Sequence, residues 1–138
     1  MVYAVIDTNV LVSALFSAHP DSSTVIIRNK IADGEIIPLF NAEIIDEYRL
    51  VLSRPKFHFP DELVDAVLAM VLETGISFDR TKSDEVFPDP KDIVFYEVAL
   101  SKEGSYLVTG NSKHFPKTPI VVTPAEMLEI RRGGQLVG

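Results

Sequence analysis

Cysteine is missing from the 138-residue chain, which excludes disulfides, thiolate zinc sites and cysteine nucleophiles together. Long apolar runs are missing too. Nothing approaches the roughly 20 consecutive apolar residues of a membrane span, and no basic segment precedes the first apolar residues as in a secretion signal. The expectation is a cytoplasmic, soluble chain with no membrane association. Basic excess is also lacking: 13 Lys and Arg face 20 Asp and Glu, a net charge of −7. That balance disfavours a binder that grips nucleic acid through a basic surface alone. It leaves open a nuclease that gathers carboxylates to hold cations, because the cations then meet the phosphate.

What is present is an ordinary globular composition, 46% hydrophobic and 24% charged. The length suits a single domain over residues 1–138 with a real core. Val2 to Ile6 reads as a buried strand ended by Asp7, and a helix follows from Asn9. His19-Pro20-Asp21-Ser22 breaks it, and Ser22 or Ser23 caps a second helix to about Asp33. Ile36 to Phe40 is the next strand, and Ala42 to Ser53 the third helix. Asp61-Glu62 opens a fourth helix that stops at Gly75, before a short strand over Ile76 to Phe78. Asp89-Pro90 opens a fifth helix to about Lys102. Tyr106 to Thr109 and Ile120 to Thr123 are the last strands, and Pro124 starts the last helix. Strands alternating with helices predict right-handed crossovers and a mainly parallel sheet covered on both faces. Ligands then sit beyond the carboxyl ends of the strands, where the chain places Asp7, Asn41, Glu43 and Asn111.

Each polar candidate has an ordinary reading beside a functional one. Asp7 suits a helix N-cap, and one oxygen can cap while the other binds a cation. Asp92 falls three residues after Asp89, where a carboxylate completes a capping box or complements the helix dipole. Glu47 lies three residues from Ile44 and four from Val51, at the margin of an apolar stripe that includes Ile45, Tyr48 and Leu52. A carboxylate there is costly unless it is paired, for instance with Arg49 or Arg54, or bound to a cation. Thr109-Gly110-Asn111-Ser112 is a good turn in any protein, yet Asn111 also offers an amide oxygen. His114, before Phe115-Pro116, reads as a partly buried turn residue. Oxygen donors without cysteine or clustered histidine favour Mg2+ or Mn2+ over zinc.

Four segments together resemble the PIN-domain family: Ala4-Val-Ile-Asp-Thr-Asn-Val-Leu11, Ile45-Asp-Glu-Tyr-Arg-Leu-Val-Leu52, Asp89-Pro-Lys-Asp92 and Tyr106-Leu-Val-Thr-Gly-Asn111. The likeness is greatest to its bacterial and archaeal VapC-like toxins of toxin–antitoxin pairs. The resemblance implies a three-layer α/β/α domain with a mainly parallel central sheet. It also implies an Mg2+- or Mn2+-dependent endoribonuclease whose catalytic and metal-binding acids match Asp7, Glu47 and Asp92. Thr8 and Asn9 match the small polar neighbours of the first acid. The family commonly carries a fourth acid after Thr-Gly, and here that position is Asn111. One negative charge fewer should weaken a second metal.

An RNA substrate, a cognate antitoxin and a homodimer follow from the same resemblance. Arg49, Arg54, Lys56, Lys113 and Lys117 are candidates for the RNA backbone. Leu136 and Val137 are too few to mark an interface. The alternative is a non-catalytic PIN-like module that binds RNA or protein, and Asn111 keeps it open. A receiver-type phosphoryl switch lacks its paired acid, and an Asp-x-Asp phosphatase is disfavoured because position 9 is Asn.

Overall fold

The structure is a computed structural model that describes residues 1–133; Leu136 and Val137 lie outside the described residues. Five parallel strands form the sheet: β1 (Val2–Ile6), β2 (Ile36–Phe40), β3 (Ile76–Ser77), β4 (Tyr106–Val108) and β5 (Val121–Val122). Their order is β3-β2-β1-β4-β5. The helices are α1 (Thr8–Phe16), α2 (Ser23–Ala32), α3 (Ala42–Leu52), α4 (Asp61–Thr74), α5 (Ile93–Leu100) and α6 (Pro124–Gly133). With crossovers of the usual right hand, this strand order sends α1 to α4 over one face of the sheet and α5 over the other, giving three α/β/α layers. No helix among the described residues is long and apolar enough to cross a membrane.

β1 is central because its run Val-Tyr-Ala-Val-Ile is apolar on both sides of the pleat. Ala4, Val5 and Ile6 are fully buried, as a strand covered on both faces requires. In contrast, β3 and β5 are two-residue edges, shorter than the sequence suggests. Gly75 permits β3 to dock: a Cβ there would stand 2.4 Å from the Pro38 carbonyl and 2.6 Å from that of Val71.

The fifth helix begins later than expected. Pro90–Asp92 form a 3-10 turn, and the α-helix runs only from Ile93 to Leu100. Its residues Val94 to Ala99 are all buried, the mark of a helix enclosed on every side. The sheet covers one side. On the outside the segment from Asp79 to Phe87 returns over it, with Phe87 edge-on to Tyr96 at 5.6 Å. Glu97 anchors that segment, accepting from the Ser83 N–H at 2.7 Å and from Arg80 Nε at 2.8 Å. Arg80 also reaches Glu43 on α3 at 2.8 Å, so it ties the two helical layers together.

The order of strands sets the place of the site. The chain moves outward from β1 through β2 to β3, then returns to the other side of β1 to form β4 and β5. The reversal leaves a crevice between the carboxyl ends of β1 and β4, where open parallel sheets take their ligands. Asp7 and Thr109 are the residues that follow those two ends.

Candidate acidic site at the β1–β4 crevice

Asp7 sits in the N-cap position of α1 and is only 7% exposed. Its backbone N–H still continues the sheet, donating to the Val108 carbonyl at 2.9 Å. Its Oδ1 accepts the Thr8 N–H at 2.8 Å, so the capping role is real. Its Oδ2 accepts the Thr109 hydroxyl at 2.7 Å and the Asn9 side-chain amide at 3.1 Å. Burial pushes the carboxyl above the ordinary range, while those three bonds and the charge of His114 work to lower it. The result is a carboxylate locked in orientation yet under-solvated.

Asn9 and Thr109 extend that lock across the crevice. Asn9 turns its amide nitrogen to Asp7 and accepts the Gly110 N–H on its oxygen at 3.0 Å. Thr109 is fully buried; its hydroxyl donates to Asp7 and accepts the Asn111 N–H at 2.9 Å. Gly110 does not adopt a left-handed backbone, so its service is to bring an N–H to Asn9 and not to make a sharp turn. Thr8, the other small neighbour, keeps its hydroxyl buried without a hydrogen-bond partner.

Asp92 is placed by the 3-10 turn that replaces the first turn of the expected helix. Asp89 takes the cap, accepting the Lys91 N–H at 3.0 Å, and the Asp92 side chain makes no capping bond. The capping-box reading of Asp92 is therefore wrong, because the 3-10 geometry leaves the carboxylate out of reach of the backbone it was meant to bond. Its Oδ2 is buried and unsatisfied. His114 Nδ1 stands 3.5 Å from it, an ion pair when His114 is protonated but too long for a hydrogen bond. Burial, then the charges of Asp7 and Asp89, raise the Asp92 carboxyl to about 6; His114 opposes them and Glu47 adds to them.

Glu47 is half-buried on α3, beside the stripe of Ile44, Tyr48 and Val51, as its spacing implies. It makes no hydrogen bond or ion pair among the described residues, and Arg49 is engaged instead by Asp65 at 3.0 Å. The neighbouring Tyr48 is fully buried and donates its hydroxyl to the carbonyl of Ile6, which fixes α3 against the strand end that carries Asp7.

The remaining candidates take other roles. Asn41 caps α3 through the Ile44 N–H, and Glu43 pairs with Arg80. Asn111 is exposed and its side chain makes no capping bond. His114 is exposed, not partly buried. Sequence reading missed Thr109 as a partner of Asp7 and took it for a turn residue. The signal lay in its place directly after β4, but it becomes visible only once β4 is known to flank β1.

The donors gathered here are oxygens, and two of them, Asp92 Oδ2 and Thr8 Oγ1, are buried without a hydrogen-bond partner. That chemistry suits a hard divalent cation. Still, no group of three or more His, Asp or Glu among the described residues could hold an ion together. Asp7 and Asp92 thus offer a pair, with Glu47 contributing its charge from beyond the pair.

Comparison with curated proteins and with solved structures gave no match. A family model described as the PIN domain matches residues 3–113, a span that runs from within β1 through β4 and holds all three acids and the Thr109-Gly110-Asn111 turn. With the five-stranded parallel sheet and the acidic crevice at its topological reversal, that match settles the family: the chain belongs to the PIN domains, a nuclease-type fold.

Proposed function

We propose that the protein is an Mg2+- or Mn2+-dependent endoribonuclease that hydrolyses RNA phosphodiester bonds at the crevice between β1 and β4. The observation that carries this reading is the buried Oδ2 of Asp92, which has no hydrogen-bond partner and feels the charge of the locked Asp7 carboxylate. Two under-solvated carboxylates repel each other, and a cation between them would relieve both. Such an ion, when bound, supplies Lewis-acid polarisation of a phosphoryl oxygen and a more acidic water.

The chain's own residues do the rest. Thr109 and Asn9 fix the Asp7 carboxylate so that its orientation does not change as substrate arrives. Asp92 would contribute the Oδ2 that lacks a hydrogen bond as a second ligand. Glu47, which forms no ion pair among the described residues, would accept a proton from, or orient, an attacking water. A water nucleophile needs no 2′-hydroxyl, so preference for RNA would come from binding and not from the chemistry. By likeness to toxin–antitoxin nucleases, a homodimer held in check by a cognate antitoxin is part of this proposal.

A second reading, a PIN-like module that binds RNA or protein without cutting, is favoured by one pair of observations. Asn111 is neutral where the family commonly has an acid, and three carboxylates do not gather into one ligand set. Cleavage of labelled RNA in Mg2+, Mn2+ or EDTA separates the two. Cutting that requires metal and disappears in Asp7→Asn and Asp92→Asn supports the nuclease. Folded wild-type protein that cuts in neither metal would leave the binding module.

A further inference from the structure

Away from the acidic crevice, three phenylalanines meet at the surface. Phe16 ends α1 and is 56% exposed. Its ring lies 5.5 Å from Phe57 and 4.9 Å from Phe59, and those two stack on each other at 5.6 Å with only 23° between their planes. The stack depends on His58, the only described non-glycine residue with positive φ, at 57°. This left-handed residue closes the 3-10 turn Pro55–Phe57 and lies between the two stacked rings. For a non-glycine residue that conformation is strained, and such strain is kept where it positions something.

The same turn is cationic in an acidic protein. Ser53 to Pro60 reads Ser-Arg-Pro-Lys-Phe-His-Phe-Pro, with no acid, in a chain of net charge −7. Arg54 and Lys56 are exposed and form no ion pair among the described residues, unlike Arg49, which Asp65 neutralises. Lys56 Nζ hangs 5.2 Å from the centre of the Phe57 ring. Phe16 is the exposed ring, Phe57 and Phe59 are half-buried behind it, and an accessible ring beside cations without ion pairs is the chemistry of single-stranded nucleic acid: bases stack on the ring and phosphates meet the cations. Position fits as well. Asp7 starts α1 and Phe16 ends it, so the rings stand roughly 13 Å along the helix from the acidic crevice, within reach of one short strand.

We propose that Phe16, Phe57 and Phe59, with Arg54 and Lys56, form a stacking platform that holds single-stranded RNA away from the cutting centre. The assignment rests on RNA being the substrate, and it explains how an acidic protein keeps hold of one.

The test is fluorescence anisotropy of the full chain in EDTA, with a labelled unstructured oligoribonucleotide and a duplex of equal length. Metal-dependent cleavage by the same preparations is measured in parallel. Phe16→Ala and the double change Arg54→Glu with Lys56→Glu are each expected to weaken single-strand binding about tenfold. The charge reversal should also flatten the salt dependence, and Phe16→Ala should leave duplex binding unchanged. All the altered side chains are exposed, and circular dichroism confirms folding. Unchanged single-strand affinity in both variants, or no binding by wild type, overturns the platform and leaves the patch for a protein partner. If wild type cuts RNA in that case, the nuclease reading survives alone. Weakened binding in the variants without any cleavage by wild type upholds the platform and removes the nuclease.

Discussion

The hydroxyl of Thr109 donates to Oδ2 of Asp7 at 2.7 Å, across the point where the strand order reverses. The two residues are far apart in sequence, and only the pairing of β4 beside β1 brings them together.

Thr109→Val should therefore damage the site while keeping its volume. It removes one of three donors to a buried carboxylate and the acceptor of the Asn111 N–H. A bond to a charged group is worth about 1.5–3 kcal/mol, so urea unfolding should show a loss of that order. RNA cleavage should fall by more than in Thr109→Ser, which retains the hydroxyl. Equal activity in the two variants would contradict the role given to the bond.

Asp92 predicts an unusual pH dependence for the metal-free protein. Its folded carboxyl holds a proton to about pH 6, raised by burial and by Asp7 and Asp89, whereas an unfolded Asp releases it near 3.9. Between those values the folded state binds more protons, so this group's contribution to stability is full at low pH and falls as pH rises. Asp7, also raised, acts in the same direction. In EDTA at pH 7, Asp92→Asn should be more stable than wild type by about 1–2 kcal/mol, read as a higher Tm. Below pH 4 the two should converge. Mg2+ should stabilise wild type more at pH 7 than at pH 5, where protons compete for the carboxylate. An Asp92→Asn protein less stable than wild type at pH 7 would contradict this.

Much of this was legible from residues alone. The apolar run before Asp7, the Gly75 and Pro90 breaks and the stripe beside Glu47 place the main elements and the first two acids. Asp92 was not legible in the same way. A 3-10 turn and an α-helical first turn have the same sequence preferences after Asp89-Pro90, but only the former leaves the carboxylate unbonded. Thr109 was hidden for another reason: its meaning lies in which strand neighbours which, and no local pattern encodes that. The segment over α5 was hidden too, because Arg80 and Glu97 look like ordinary surface charges until the chain folds back.

That segment gives a prediction of opposite sign. Burial works to raise the Glu97 carboxyl, but the Ser83 N–H and Arg80 outweigh it and hold it below the usual range. Its stabilisation is present above the unfolded pKa of about 4.3 and is lost as pH falls through the lower folded value. Arg80→Ala leaves a nearly buried carboxylate short of its cation and should cost about 3 kcal/mol at pH 7. Adding Glu97→Gln should recover part of that loss in a double-mutant cycle. Additive losses would show that the pair is not coupled.

Two glycines should respond differently to alanine. At Gly75 the new methyl meets the Pro38 and Val71 carbonyls at 2.4 and 2.6 Å, backbone atoms that cannot swing aside. A loss of about 3 kcal/mol is expected. At Gly110 the nearest atom is Asn9 Oδ1 at 3.4 Å and the backbone is not left-handed, so alanine should be tolerated. Chemical denaturation of both variants checks the contrast.

The most direct test of the acidic crevice as a cation site is a calorimetric titration of metal-free protein with Mn2+. Wild type should bind an ion in the crevice, and Asp7→Asn and Asp92→Asn should each abolish that binding while remaining folded. Binding of equal affinity and stoichiometry in wild type and both variants would contradict the account, because the ion would then be held somewhere other than between Asp7 and Asp92.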